Sequence, residues 1–536
     1  MSIKEPIMST ILVTGARGFI GKALATSLVN MNHWSATGAA GMFRRSFSPS
    51  ARMLCATLFF TACAAVAAPP DPPPAAVRIH SVTDIGHEFT FYADGRFYGQ
   101  YIAGDGNQDA RNWGTLHKCS FKNANLLVLL SGATPCPFTT NDIAATRNLL
   151  EEGGGVLVLG TYGTFRDQKE YQLNALARAY GAEFLKNTAK EPYRATQALD
   201  AKGIKQSWPC SLIRLDNPKE WTILITDADG GALMARKPVG KGALLVAARG
   251  LFGCRPDFSD PINAEWVKPL LRDVAKNKKV DPGAPVEGQW FDRSEKHGKL
   301  TLCYSDYTAH EADTIKSLYD KCMPILEDIF GVPPIEGAMT GLLLLPTGGG
   351  GFSSGNNIGL GIWWGDFPKN LYPMIELIGH EGAHSWVLPF GEPFWNEPIA
   401  TYIGALAARR MGCTKEADNI IYGNIARAKK LDPDMTKYNI AHDTNVPGEV
   451  GWGKAMWIWE QMRAEKPDAI ARYFKAKREL AKPGVLKQYT PDDCVAVLSV
   501  AMERDLFPWF RQHGIMVDKS KATIKMDKVP AAKAVQ

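Results

Sequence analysis

Two apolar runs stand out from an otherwise mixed chain: Asn125-Leu126-Leu127-Val128-Leu129-Leu130 and Val156-Leu157-Val158-Leu159-Gly160. Neither alternates with polar residues, so each reads as a strand buried on both faces, the habit of parallel sheets. Between them Thr139 to Glu152 has helical spacing, opens on the cap-like Thr140-Asn141-Asp142 and stops at Gly153-Gly154-Gly155. Strand-like runs follow at Trp221 to Thr226 and Gly242 to Ala248, then a closing helix near Ala264 to Lys276. Repeated strand–helix units predict an α/β domain with a parallel sheet over residues 69–280. Val280-Asp281-Pro282-Gly283-Ala284-Pro285 is a linker.

Beyond the linker the pattern changes. Leu300 to Tyr304 and Leu342 to Leu345 read as strands around a helix from Glu311 to Phe330. Gly348 to Gly355 reads as a mobile loop, and Asn357 to Trp364 is alternately small and large. Met374, Ile375, Leu377 and Ile378 then recur near helical spacing. Helices are expected at Glu397 to Met411, Gly451 to Ala464, Ala469 to Leu480 and Cys494 to Glu503. The tail after Lys519 is polar.

The helix that begins near Leu371 carries His380-Glu381-Gly382-Ala383-His384. Residues four apart share a helix face, so His380 and His384 can grip one metal ion, with Glu381 beside them to act on a water. Catalytic zinc takes three protein ligands and keeps one position open. Glu397, at the start of the next helix with Pro398 suited to its first turn, is the natural third ligand.

These residues resemble the gluzincin metallopeptidases. His380 to Trp386 reads H-E-G-A-H-S-W, against H-E-x-x-H-x-W in aminopeptidase-N-like enzymes. Asn396 to Tyr402 reads N-E-P-I-A-T-Y, close to their N-E-G-F-A-T-Y. The resemblance implies an α+β zincin-type catalytic domain over residues 286–536 with a helical C-terminal part. It also implies Zn2+ on His380, His384 and Glu397, and Glu381 as general base. Twelve residues separate His384 from Glu397, shorter than in aminopeptidases and closer to peptidase MA-like or enhancin-like mucin peptidases. The resemblance also implies an edge strand at Asn357 to Trp364 that pairs with an extended substrate, and aminopeptidases carry G-x-M-E-N there. Here Gly361-Ile362-Trp363-Trp364-Gly365 lacks its Glu, and the two tryptophans are either core or a stacking surface for sugar rings. At the family's oxyanion-donor tyrosine this chain has Trp452, in Trp452-Gly453-Lys454-Ala455-Met456; Tyr438 and His442 are substitute donors. The first domain resembles the class I glutamine-amidotransferase fold, but where that family has G-x-C-x-G the chain reads Gly160-Thr161-Tyr162-Gly163, without the cysteine.

The N-terminal region reads as two processing remnants. Ile11 to Gly21 resembles the opening of a short-chain dehydrogenase, with Gly15, Gly18 and Gly21 spaced to cradle a pyrophosphate. The pattern stops near Trp34 with no acidic ribose ligand, so residues 1–41 read as a spurious or fused fragment. Residues 42–68 then form a signal peptide: Arg44, Arg45 and Arg52, an apolar core from Leu54 to Ala62, and Ala65-Val66-Ala67 as the cleavage site. A lipid anchor at Cys63 is an alternative, and the expected location is secreted or periplasmic.

Composition adds little. Net charge is +6 over 536 residues, with no nucleic-acid footprint, and no apolar run past the N-terminal region is long enough to span a membrane. Eight cysteines lie beyond the signal, without C-x-x-C spacing, so disulfides and isolated buried thiols both stay open. The expected activity is hydrolysis of a protein, peptide or glycoprotein substrate. The rival readings are a glycan- or protein-binding protein with a structural zinc site, and a nicotinamide-dependent epimerase.

Overall fold

The computed structural model describes residues 77–85, 87, 97–130, 136–162, 170–252, 261–335, 339–348, 350–354 and 356–527. The dehydrogenase-like fragment, the signal peptide, Cys63 and Gly163 lie outside the described residues. The chain is multidomain, with an α/β unit followed by a second sheet and a helical C-terminal part.

The first unit carries β1 (His80–Asp84), β2 (Gln108–Asn112), β3 (Leu126–Leu130), β4 (Gly155–Gly160), β5 (Ala182–Thr188), β6 (Arg194–Ala195), β7 (Ser211–Leu215), β8 (Thr222–Thr226), β9 (Ala232–Val239) and β10 (Gly242–Ala248). Its helices are α1 (Thr140–Glu151), α2 (Leu173–Arg178) and α3 (Ala264–Ala275). The sheet order is β2-β1-β3-β4-β10-β9-β7-β5. Strands β2, β1, β3, β4 and β10 are parallel, as the two apolar runs predict. Leu126, Val128, Leu157 and Leu159 face one core while Leu127, Leu129, Val156 and Val158 face another, so these strands are buried on both sides. Thr139 caps α1 reciprocally with Asp142.

The expected parallel sheet makes up only part of this one. From β9 onward the pairing is antiparallel. Only Gly240 and Lys241 separate β9 from β10, with Gly240 at φ +56°. A connection that short can only form a hairpin.

The second sheet contains β11 (Arg293–His297), β12 (Leu300–Tyr304), β13 (Gly341–Leu345), β14 (Gly351–Ser353) and β15 (Asn357–Gly361), in the order β11-β12-β13-β15-β14. The expected edge strand, Asn357 to Trp364, is therefore interior. The edge is β14, which runs antiparallel to β15 and lies inside the stretch expected to be a loop. Glycine leaves no apolar pattern to read, and Gly351 and Gly359 are glycine because neighbours fill their side-chain space: a Cβ on Gly359 would sit 2.3 Å from the Phe352 ring.

Helices α4 (Ala312–Phe330), α5 (Tyr372–Val387), α6 (Asn396–Arg410), α7 (Thr414–Leu431), α8 (Gly448–Glu465), α9 (Ala469–Leu480), α10 (Pro491–Met502) and α11 (Phe507–Gln512) complete the unit. The apolar pattern did not single out α7. Leu302, Leu342, Leu344, Ile358 and Leu360 face this helical core. The opposite face, through Cys303, Leu343 and Leu345, packs on Ile85 and Trp113 of the first unit. The first unit thus supplies the cover that the second sheet lacks. Asp292 locks the joint by accepting from the backbone N–H of Thr115 (3.1 Å) and of Asp306 (2.9 Å). The Tyr307 hydroxyl accepts from Leu116 N–H at 2.9 Å.

Seven of the eight cysteines fall in the described residues, and none of these seven is in a disulfide. No helix among the described residues is long and apolar enough to cross a membrane.

Candidate metal centre

Helices α5 and α6 approach backbone to backbone. A Cβ on Gly379 would lie 2.7 Å from the Gly404 Cα, and one on Gly404 would lie 2.5 Å from the Glu376 carbonyl oxygen. This closeness lets side chains from both helices reach one point. His380 and His384 share a face of α5, their rings edge to face with centroids 5.0 Å apart. Glu397 enters from the first turn of α6.

The three ligand atoms converge. His380 Nε2 and His384 Nε2 are 3.3 Å apart, and Glu397 Oε2 lies 3.4 and 3.7 Å from them. Ligands bonded to zinc at 2.0–2.1 Å in a tetrahedron stand about 3.3 Å from one another, so the donor set and its spacing fit that ion. Among the described residues this is the one cluster of three such groups. The remaining ring nitrogens are held from α6: His380 Nδ1 is 2.9 Å from Thr401 Oγ1, and His384 Nδ1 is 3.3 Å from Asn396 Nδ2. The Thr401 hydroxyl can accept the Nδ1–H of a ligating imidazole, the arrangement that orients such ligands, whereas the Asn396 amide nitrogen is a donor and meets only an unprotonated Nδ1.

Electrostatics follow from crowding bases into a half-buried site. Burial lowers the His380 pKa, but the carboxylates of Glu397, Glu381 and Glu376 outweigh it and raise it to about 9. Burial raises Glu397, yet His384 and His380 together hold it well below the usual carboxylate range. Burial pushes Glu376 up to about 7 and also raises Glu381. Glu381 stands outside the three-atom cluster, 5% exposed. It abuts the edge strand, where a Cβ on Gly351 would lie 2.8 Å from its Oε1.

The short connection between the two helices is fixed from below. Lys477 of α9, almost fully buried, donates to the carbonyls of Val387 (2.9 Å) and Phe390 (2.7 Å) and to Glu392 Oε1 (2.5 Å). The Val387 carbonyl is one of the orphans at the end of α5. Glu392 Oε2 accepts from Trp395 Nε1 (2.9 Å) and the Tyr473 hydroxyl (2.6 Å). This network anchors the residue two before Glu397.

The structure brings together all three ligands expected from the sequence. The sequence reading missed Thr401, Asn396, Gly351 and the Lys477–Glu392 pair. Thr401 was findable, because it lies four residues after Glu397 on one helix face; Lys477 was not, since nothing local marks it. Trp452 is half-buried against the helical core. Buried Lys454, two residues on, donates to the Tyr438 carbonyl at 2.6 Å. His442 is exposed. Two surface clefts in the first unit, about 420 Å³ beside Arg236 and about 680 Å³ beside Tyr193, are lined by none of these residues.

No family model matches the chain, and no curated protein does. Solved structures with local likeness include an exo-β-1,4-mannosidase from Opitutaceae bacterium strain TAV5, at 15% identity over 32% of this chain and 31% of that one, TM-score 0.22. The chain spans about a third of that enzyme's length. Another is a ThuA-like protein from Parabacteroides merdae, at 12% identity over 38% of this chain and 91% of that one, TM-score 0.28. Likeness of this size carries no conclusion about function.

Proposed function

We propose that the chain is an exported zinc-dependent peptidase of the gluzincin kind, acting on proteins or glycoproteins, with its zincin-type unit in residues 286–536. The observation that carries this reading is the convergence of His380 Nε2, His384 Nε2 and Glu397 Oε2 within 3.3–3.7 Å, with a second carboxylate, Glu381, outside the cluster. An antiparallel edge strand laid against Glu381 also suits an extended peptide, which adds to a sheet edge through main-chain hydrogen bonds.

His380, His384 and Glu397 would hold the ion. Bound zinc supplies a Lewis acid for the carbonyl and lowers the pKa of water toward about 7. Glu381 takes the proton of the attacking water and passes it to the leaving amine. Its burial raises its pKa, which suits a group that must both accept and return a proton. Thr401 keeps the His380 imidazole aimed by accepting its Nδ1–H.

The competing reading is a binding protein with a structural zinc. Structural sites are closed by four protein ligands, and three converge here. The deciding experiment screens a peptide and glycopeptide library with the zinc-loaded chain and with Glu381→Gln. We expect about one zinc per chain in both and at least ~10²-fold slower hydrolysis in the variant. Equal rates, or no cleavage by a zinc-loaded parent, would favour the binding protein.

A further inference from the structure

The segment that leads into the edge strand is bordered by an indole. A Cβ on Gly350 would lie 3.8 Å from Cζ3 and 3.9 Å from Cε3 of Trp364. The next residue, Gly351, is the one whose Cβ would meet Glu381 at 2.8 Å. Adjacent Cα atoms are 3.8 Å apart and each Cβ stands about 1.5 Å from its Cα, which places the Trp364 ring edge within about 13 Å of the Glu381 carboxylate. An extended peptide covers that distance in roughly four residues or fewer.

Trp364 sits on the loop between β15 and α5, half-buried, with its neighbours Gly365 and Asp366 exposed. It packs against the helical core, which fixes the ring. Its backbone N–H is tied to the Gly361 carbonyl at 3.1 Å, and that of Trp363 to the Thr347 carbonyl at 3.1 Å. The loop is therefore held at two points, and the indole is presented on a rigid mount. A partly exposed large aromatic can present a flat, apolar face to a ligand ring. Glycine at 350 puts no side chain against the ring edge.

Resting on the peptidase reading, we propose that Trp364 determines specificity by stacking on a ring carried by the substrate within four residues of the scissile bond. The shared chemistry is a flat ring with a C–H or π face. Its source is either an aromatic side chain or the sugar of a glycosylated residue.

The test measures binding, so that it stands apart from turnover. Zinc-loaded Glu381→Gln protein is titrated with one extended decapeptide, varied in turn at each of the four positions on either side of the central bond. Each position carries phenylalanine, serine or O-glycosylated serine. We expect one position at which a ring-bearing peptide binds about tenfold more tightly than the serine peptide. Phenylalanine or the sugar as the tighter binder identifies the source. Adding Trp364→Ala should collapse that ratio toward one, while Trp364→Phe should keep part of it. Zinc content checks that both variants fold. A ratio near one at every position, a ratio that survives in Trp364→Ala, or no binding at all would overturn the proposal. Cleavage of the library by the parent chain, measured separately, decides the peptidase reading itself.

Discussion

The chain contains two arrangements of histidine and carboxylate, one sealed and one open. In the first unit, His87 Nδ1 lies 2.7 Å from Asp84 Oδ2, and Asp84 Oδ1 accepts from Asn112 Nδ2 at 2.9 Å. The imidazole lies flat on Phe138, centroids 3.7 Å apart, with the Tyr307 ring edge-on at 5.1 Å. Both ionic side chains are at most 2% exposed. In the second unit the side chains of His380, His384 and Glu397 are 14%, 14% and 36% exposed and point at one another. The residue types match, but the accounting of their polar atoms does not. At the sealed pair the carboxylate oxygens are each spent on a donor. At the open cluster three bases face one point, and only a cation between them relieves their crowding. The raised His380 pKa is the mark of this, for a proton takes that place when no metal does.

The position of the sealed pair sharpens the contrast. Asp84 ends β1, and β1 lies between β2 and β3. That is the switch point at which open α/β sheets bind ligands outside the carboxyl ends of their strands. Here Tyr307 of the second unit sits against His87 and takes the Leu116 N–H. The crevice has become a socket for the neighbouring unit.

The largest effect should come from dismantling the open cluster. His384→Ala with Glu397→Ala leaves one ligand, so zinc content should fall from about one per chain to near zero and hydrolysis with it. His87→Gln should leave zinc content unchanged. Unchanged zinc in the double variant would remove the distinction between the two arrangements. Next in size is Lys477→Met. It strands the Glu392 carboxylate in the core, and breaking a buried pair from one side costs about 3–5 kcal/mol. Denaturant unfolding measures this, and Lys477→Met with Glu392→Gln should recover part of the loss.

How legible each region was in the sequence follows from the same physics. The clustered histidines were readable because a helix puts residues four apart on one face, so His380 and His384 announce themselves locally. The fully buried strands were readable because Leu126 to Leu130 and Val156 to Leu159 carry no polar residue. The edge strand was not, since glycine carries no hydrophobic signal and its role here is to leave room for Glu381 and Phe352. The antiparallel half of the first sheet was missed although Gly240-Lys241 marks its hairpin. The joint between units was invisible: Tyr307 meets Leu116 across 191 residues, and no local pattern encodes such a contact.

Acid and base should separate the two histidines. Binding of zinc must displace the His380 proton, so apparent zinc affinity should rise with pH until about 9 and flatten above it. A flat profile between pH 6 and 8 would argue against the crowded cluster. For His87, burial lowers the pKa, but Cys136 and Asp84 raise it well above 6.5. A raised folded value means a stabilising contribution that is complete below the unfolded pKa of about 6.5 and is lost as pH rises through the folded value. His87→Gln should therefore destabilise the chain more at pH 6 than at high pH.

The smallest effect tests whether the two arrangements are mechanically separate. Tyr307→Phe keeps the ring against His87 and removes only the acceptor for Leu116 N–H. That donor is buried, and leaving it unpaired costs about 1–3 kcal/mol. The loss should appear in unfolding, because Tyr307 sits in the joint that Asp292, Thr115 and Asp306 also hold. It should not appear in zinc affinity, because α5 and α6 are fixed to each other by their glycine contact and by Lys477, none of which passes through Tyr307. Zinc affinity within about twofold of the parent, at reduced stability, fits a joint that supports the sheet without setting the metal geometry. A tenfold change in zinc affinity, about 1.4 kcal/mol, would mean that the socket in the first unit reaches the metal helix through β12, the strand that ends just before Tyr307, and α4, which follows it.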